Sequence, residues 1–512
     1  IRDHQTIPRN MEGFIAETLY EQSKRKKNSL INKKIIARVL GILLFVETTM
    51  FLICALVSWM YQEPETFTFL QTAAINTLAG IFLILLSRGA ERKVSKRDGY
   101  CIASLSWLLF SAFGMLPFYL SGSVDSISNA FFETISGFTT TGATIMDNID
   151  AQSHGILFWR SLTQWIGGLG IVCFAIAILP IFNEGNVQLF SAEATGVTQH
   201  KLHPKISIMV KWIWGVYLLL TVSLTILLYI GGMNWFDAIC HAFTTTATGG
   251  YSTKQASIAY WNSPFIEYVI SFFMIISSFN FALFYMLLKG KASKFLHDEE
   301  LRWFICSIFL LTFTITASLV VYNNYGIEEA FRKSLFQVAS IHTSCGFGTD
   351  DYSFWPPFTW VLLIFAMMAG GCTGSTAGGI KNLRLMIMAK GIRNHFKKLL
   401  HPNAVLPIRI NKQATAPGTV MTVAFFISLY MLLILVCWVV LMFLGVGFDE
   451  AFSVVVSSIG NVGPGLGDYG PAFSWNALPD AAKWILSFLM LIGRLEMFCV
   501  LLLFYPSFWK NR

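Results

Sequence analysis

The sequence predicts an all-α polytopic membrane protein. It comprises four span–pore half-helix–span repeats around a pseudo-fourfold pore plus an N-terminal two-helix hairpin, with about ten spanning helices and four re-entrant ones. Three observations carry this prediction: a composition too apolar for a soluble domain, recurring apolar runs of membrane-spanning length, and four short Thr/Gly strings at similar intervals on one side. The chain has 512 residues, 54% of them hydrophobic and 13% charged, with 45 Phe. A soluble domain carries roughly 25% charged residues. Runs of about 20 apolar residues, enough for a hydrocarbon core of roughly 30 Å, predict spans near 39–60, 67–87, 99–120, 156–181, 207–231, 264–288, 303–322, 358–390, 418–446 and 482–505.

The net charge of +8 follows topology and implies no nucleic-acid partner. With a cytoplasmic N-terminus, the basic runs Lys24 to Lys27, Arg92 to Arg97, Lys201 to Lys211, Lys289 to Arg302, Arg384 to Lys412 and Lys510 all fall inside, as the positive-inside rule requires. The opposite connections carry acids: Glu63, Glu65, Asp125, Asp147, Asp150, Asp350, Asp351, Asp449 and Asp468. Both termini are expected in the cytoplasm and the lipid bilayer is the immediate partner. Residues 1–37 form a polar, basic leader unlike a cleavable signal peptide, in which Met11 is a candidate native start and residues 1–10 are of open origin. The nine cysteines, mostly inside apolar segments and without a CxxC, read as small buried hydrophobes.

After the hairpin at 38–90, the predicted units run 91–195, 196–295, 296–405 and 406–512. Each outer connection begins with a helix too short to span: "SISNAFFETISGFTTTGAT" (126–144), "NWFDAICHAFTTTATGGYST" (234–253), "EEAFRKSLFQVASIHTSCGFGTDD" (328–351) and "FDEAFSVVVSSIGNVGPGLGD" (448–468). A capping residue or first-turn acid opens each, and Thr, Ser, Asn and Gly end it. Aligning the breaks pairs Thr139, Thr140, Thr141 and Gly142 with Thr246, Ala247, Thr248 and Gly249, with Thr343, Ser344, Cys345 and Gly346, and with Gly460, Asn461, Val462 and Gly463. The closing glycines are 107, 97 and 117 residues apart.

Non-helical backbone at membrane depth survives only when buried in protein or lining a water-filled cavity. Four such strings around an axis would present carbonyl and hydroxyl oxygens able to replace a cation's hydration shell. The helices' partially negative C-terminal ends favour a cation. One string alone would be a flexible loop; four in register predict a filter.

The run 358–390 is abnormal for a span. Its centre, "AGGCTGSTAGGIK" (369–381), contains Gly370, Gly371, Thr373, Gly374, Ser375, Gly378, Gly379 and Lys381. It is not a phosphate-binding loop, since Ile380 separates Gly379 from the Lys and Asn382 stands where Ser or Thr is needed. Close helix packing accounts for one or two glycines, not for these with polar neighbours, so a broken helix forming an intramembrane loop under the filter is expected. Arg494 lies within the last apolar run, where a charge costs about 2.5–3.5 kcal/mol on insertion scales. It reads either as a positive barrier acting with that loop or as a structural ion pair with Glu133, Glu267 or Glu496. Arg160 reads as structural, and Glu47 and Glu267 as snorkelling or locally paired.

The strings "FWRSLTQWIGGLGI" (158–171), "HAFTTTATGGYST" (241–253), "AGGCTGSTAGGIK" and "GRLEMF" (493–498) give the chain a resemblance, from about residue 38 onward, to the membrane subunit of the Trk-type bacterial potassium uptake system. That group lies within the Trk/Ktr/plant high-affinity potassium transporter superfamily, and the extra hairpin is similar to Trk rather than Ktr. The resemblance implies K⁺ as the transported ion, Gly142, Gly249, Gly346 and Gly463 as filter glycines, and a gating role for the loop. Gly142 stands where some plant relatives carry Ser and favour Na⁺. The resemblance further implies a homodimer in the bacterial inner membrane and a cytoplasmic nucleotide-binding regulatory subunit docking on the basic loops. No organic cofactor is expected. An enzyme is disfavoured, because the nine His are scattered and no Asp falls in mid-span. Channel-like conduction and symport with H⁺ or Na⁺ both remain, the former favoured because no carboxylate lies in the strings.

Overall fold

The structure is a computed structural model that describes residues 31–89, 94–178, 206–288, 290, 292–415, 418–495 and 497–510. Most of the leader, Met11 and the basic runs at 24–27 and 201–205 lie outside the described residues. Helices dominate. α1 (Lys33–Met60) and α2 (Glu65–Leu86) form the N-terminal hairpin. Gly41 and Gly80 let them approach closely: a Cβ on Gly41 would lie 3.0 Å from the Gly80 carbonyl, the small-residue contact that membrane helices favour.

The chain then runs through α3 (Lys96–Gly114), α4 (Ile127–Phe138) and α5 (His154–Ile178). Next come α6 (Ile206–Ile230), α7 (Trp235–Thr246), α8 (Pro264–Ser277) and α9 (Phe281–Leu288). α10 (Glu299–Tyr322), α11 (Ile327–His342), α12 (Pro357–Ala369) and α13 (Asn382–Leu400) follow. The last stretch holds α14 (Thr419–Phe443), α15 (Phe448–Gly460), α16 (Asp480–Leu495) and α17 (Met497–Leu501). Among the described residues the exception to all-α is a ribbon of two two-residue strands, β1 (Arg409–Ile410) against β2 (Gln413–Ala414). Its turn residues Asn411 and Lys412 both have positive φ, the geometry of a type I′ hairpin.

Local chemistry explains several starts. Ser95 and Asp98 form a reciprocal capping box on α3. Ser126 caps α4 and Asn234 caps α7 through side-chain oxygens. Glu328 and Glu329 occupy the first turn of α11, and Asp449 and Glu450 that of α15, where negative charge meets the positive helix end.

Among the described residues, six helices are long and apolar enough to cross a membrane, or seven if one bent pair counts as a single span. They are α1, α2, α3 extended to Leu120, α6, α10 and α14. Their outward faces are apolar: Leu78, Ile230 and Phe443 are 67%, 67% and 89% exposed. The other four expected spans are interrupted rather than continuous. α5 leaves helical geometry at Gly170 (φ 74°, ψ 148°), and the 264–288 run breaks at 278–280 between α8 and α9. The 358–390 run splits around 370–381, and α16 bends sharply into α17. Glycine or a polar cluster stands at the first three breaks, where the backbone gives up its ladder bonds and must be satisfied from within the protein.

Candidate functional site

The four short helices end alike. At each C-terminus one residue takes the left-handed conformation: Thr140 (φ 52°), Thr248 (φ 53°), Ser344 (φ 55°) and Asn461 (φ 53°). The next amide reaches back five residues, Thr141 to Ser136 (2.9 Å), Gly249 to Thr244 (2.8 Å), Cys345 to Ser340 (2.8 Å) and Val462 to Ser457 (2.9 Å). This is the closing bond of a Schellman turn. A positive-φ glycine follows in every string: Gly142 (82°), Gly250 (77°), Gly346 (92°) and Gly463 (107°).

This geometry corrects the second string by one residue. Gly250, not Gly249, is the counterpart of Gly142, and Ala247, Thr248 and Gly249 match Thr139, Thr140 and Thr141. The two adjacent glycines look alike in sequence, whereas the turn hydrogen bond counts backwards from the helix and selects one register. Thr246 consequently belongs to the helix, with its hydroxyl donating to Ala242 O (2.8 Å).

The strings close into a ring. A Cβ built on Gly142 would lie 2.1 Å from the Gly249 carbonyl oxygen, one on Gly250 2.0 Å from that of Cys345, one on Gly346 2.2 Å from that of Val462, and one on Gly463 2.6 Å from that of Thr141. Each quarter therefore presses its glycine against the third-position carbonyl of another quarter. No side chain fits at any of the four contacts. Thr139, Thr140, Thr141, Thr246, Ala247, Thr248, Thr343, Ser344, Cys345, Asn461 and Val462 are all buried. Gly142, Gly250, Gly346 and Gly463 face a cleft that Arg160, Lys254 and Trp475 also line.

Behind the first two quarters sits a buried polar cluster that sequence reasoning left mostly unassigned. Arg160 Nε donates to Glu133 Oε1 at 2.8 Å, with both side chains essentially inaccessible. Arg160 also donates to Ser252 O and Thr144 Oγ1, both at 3.1 Å, and its guanidinium lies 4.1 Å from the Tyr251 ring centroid. The Glu133 carboxylate further accepts from Ile145 N (2.9 Å). The structural role read for Arg160 thus has a definite partner. Gln164 joins Gly249 O and Tyr251 N. Asn461 Nδ2 donates to Thr141 Oγ1 (3.0 Å) and Met490 O (2.9 Å).

The Gly-rich segment lies against the helix ends that carry the ring. Gly378 N donates to Ser344 Oγ (2.5 Å), and a Cβ on Gly378 would meet Gly460 O at 2.3 Å. Thr376 Oγ1 reaches Thr246 O (3.3 Å) and Ser277 O (3.2 Å). Cys372 N donates to Ser278 O and Phe281 N to Gly374 O, so the loop docks into the break between α8 and α9. Gly370, Gly374, Gly379 and Lys381 have φ of 70°, 76°, 76° and 77°. Gly371 packs on Ala377, Ser375 Oγ donates to Cys372 O, and Lys381 Nζ donates to Ala377 O. Glu300 at the start of α10 fastens both flanks, accepting from Thr373 N (2.6 Å) and Leu383 N (3.2 Å).

Arg494 meets this loop through carbonyls. It donates to Thr376 O (2.5 Å), Gly167 O (2.6 Å) and Gly168 O (2.8 Å). Of the ion pairs weighed for it, Glu133 pairs instead with Arg160 and Glu267 with Arg332 (2.6 Å); Glu496 lies outside the described residues. Glu47 does not snorkel. It is fully buried and accepts from Asn76 Nδ2 (3.3 Å), while among the described residues its Oε1 has no hydrogen-bond partner. Among the described residues no group of three His, Cys, Asp or Glu could hold a metal ion. A polar residue interrupting an apolar run was the available signal for Gln164; Glu300, inside "KFLHDEELR", looked like an ordinary soluble-loop acid.

Comparison with known proteins follows the same lines. Residues 65–511 match the family described as TrkH, cation transport protein. The chain is 39% identical over 484 residues to the Trk system potassium uptake protein TrkH of Escherichia coli (strain K12), covering 93% of this chain and 99% of that one. It is 33% identical over 483 residues to the Trk system potassium uptake protein TrkG of the same strain, with the same coverage. The crystal structure of the potassium transporter TrkH from Vibrio parahaemolyticus superposes with a TM-score of 0.84 at 35% identity, covering 93% of this chain and 99% of that one.

Proposed function

This chain belongs to the TrkH family of cation transport proteins, and from that premise we propose that it takes up K⁺ across the bacterial cytoplasmic membrane through a gated, channel-like pore. The observation that carries the reading is the closed ring of four left-handed turns, each glycine set against a carbonyl of another quarter. Such a ring offers backbone oxygens in place of a hydration shell, with four helix C-termini adding negative potential. The filter comprises Thr139 to Gly142, Ala247 to Gly250, Thr343 to Gly346 and Gly460 to Gly463, one from each of the units 91–195, 196–295, 296–405 and 406–512. K⁺ is cargo, and no organic cofactor is assigned to the chain.

The gate in this reading is the loop 370–381 with Arg494. The loop's bonds to Ser344, Thr246 and Glu300 support that assignment, as does the guanidinium's grip on Thr376 O. Control in this reading comes from a cytoplasmic nucleotide-binding regulatory subunit acting on α13 and the β1–β2 ribbon in a homodimer with both termini inside. Asn411 of that ribbon donates to Asp298 and accepts from Glu299 N, next to the Glu300 clamp. This supports a mechanical path to the loop.

Symport is the second reading, and Glu47 keeps it in view: a buried carboxylate in the middle of α1, one of whose oxygens has no partner among the described residues, has the form of an intramembrane proton site. Reversal potentials of the purified protein in liposomes decide between the two. Under crossed K⁺ and pH gradients, uncoupled conduction follows the K⁺ gradient alone. A shift with ΔpH that disappears in Glu47→Gln would overturn the channel reading.

A further inference from the structure

We propose that Gln164 of α5 is a specificity-determining residue, holding the second quarter of the ring open against cations smaller than K⁺. This rests on the filter reading given above. Gln164 is fully buried, and both ends of its amide are used on one string. Nε2 donates to the Gly249 carbonyl (2.7 Å) and Oε1 accepts from Tyr251 N (3.0 Å). Those partners determine the amide's orientation, because a carbonyl accepts only from the NH₂ end and an N–H donates only to the oxygen. The side chain therefore straddles Gly250.

The ring has four third-position carbonyls, on Thr141, Gly249, Cys345 and Val462. Among the described residues, that of Gly249 alone accepts a side-chain hydrogen bond. A carbonyl sharing its lone pairs with an amide donor offers a weaker field to a cation, and it is also tied in place. Whether a filter discriminates by cavity size or by carbonyl field strength, this residue acts on it. The fastened carbonyl cannot move inward to coordinate a smaller ion, and the protein cannot repack around it because Gln164 fills the space. A Cβ on Gly249 would lie 2.4 Å from Gln164 Cδ. The double glycine at 249–250 thus has two separate causes: Gly250 meets another quarter of the ring, and Gly249 makes room for the glutamine.

The test measures K⁺, Na⁺ and Rb⁺ permeability in proteoliposomes for the full chain, at matched amounts of folded protein. Gln164→Leu keeps similar volume and removes both hydrogen bonds. The expected result is retained K⁺ conduction with a K⁺-to-Na⁺ ratio lower by about three- to tenfold, the range spanned by one buried hydrogen bond. Gln164→Met, unbranched and equally without a donor, gives the same readout if the Leu variant does not fold. Gly250→Ala is the independent marker of the filter. If Gly250→Ala abolishes selective conduction while the folded Gln164 variants keep the native ratio, the assignment of Gln164 is overturned and the filter reading stands. If both leave the ratio native, the filter reading falls and the assignment with it.

Discussion

Arg160→Met tests whether the wall behind the ring depends on a desolvated charge pair. In the native protein the Arg160 and Glu133 side chains are 1% and 0% exposed and meet at 2.8 Å. Removing the guanidinium strands a carboxylate whose remaining donors among the described residues are Thr144 Oγ1 and Ile145 N. It also leaves the Ser252 carbonyl without its Arg160 donor. Breaking a buried pair from one side costs about 3–5 kcal/mol, roughly a hundred- to several-thousand-fold in the folding equilibrium. An exposed pair would cost about 0–1 kcal/mol, so the two cases are well separated. Denaturant titration in detergent micelles measures the loss. Adding Glu133→Gln removes the stranded charge but keeps an acceptor for Ile145 N, and should recover at least about 1–2 kcal/mol. A single-variant loss below about 1 kcal/mol, or a double variant no more stable than the single, would mean that the wall does not depend on the desolvated pair.

Three further predictions concern conduction. Gly250→Ala places a methyl 2.0 Å from the Cys345 carbonyl at φ +77°, so Rb⁺ uptake should fall by at least about tenfold. Gly122→Ala, at φ +73° with nothing within 4 Å, should retain it; equal loss in both would mean that backbone strain, not the ring contact, is responsible. Glu300→Gln preserves size but weakens two charge-assisted bonds, raising partner-independent flux about two- to tenfold and speeding hydrogen exchange at Thr373 and Leu383; native exchange rates would remove Glu300 from the gate. Arg494→Ala deletes three bonds to carbonyls of α5 and the loop. Flux should rise, and unchanged flux would overturn the gate role proposed for it.

Much of this arrangement could be read from local pattern. Run length separates spanning from half-length helices, first-turn acids and capping residues mark the starts, and the Thr/Gly breaks locate the four strings. The glycine excess at 369–381 likewise announced a broken segment, and the charge of Arg494 within an apolar run announced a special environment. These signals are carried by residues close together in the chain, and they reflect helix geometry and the cost of charge in hydrocarbon.

Composition could not choose between Gly249 and Gly250, because either glycine tolerates positive φ and the choice belongs to the amide that reaches Thr244. Nor could it show that Arg494 binds carbonyls, that three further expected spans (156–181, 264–288 and 482–505) are interrupted, or that Gln164 and Glu300 bond to the strings and the loop. The bonds that decide these points join residues 85 positions apart for Gln164 and Gly249, 73 for Glu300 and Thr373, and 327 for Arg494 and Gly167. Sequence pattern alone established an apolar, helical membrane chain in which four short helices break at Thr, Ser, Asn and Gly. Which carbonyl faces which glycine is set by the folded contacts, since buried backbone groups freed from a helix take whichever donor the chain brings within about 3 Å.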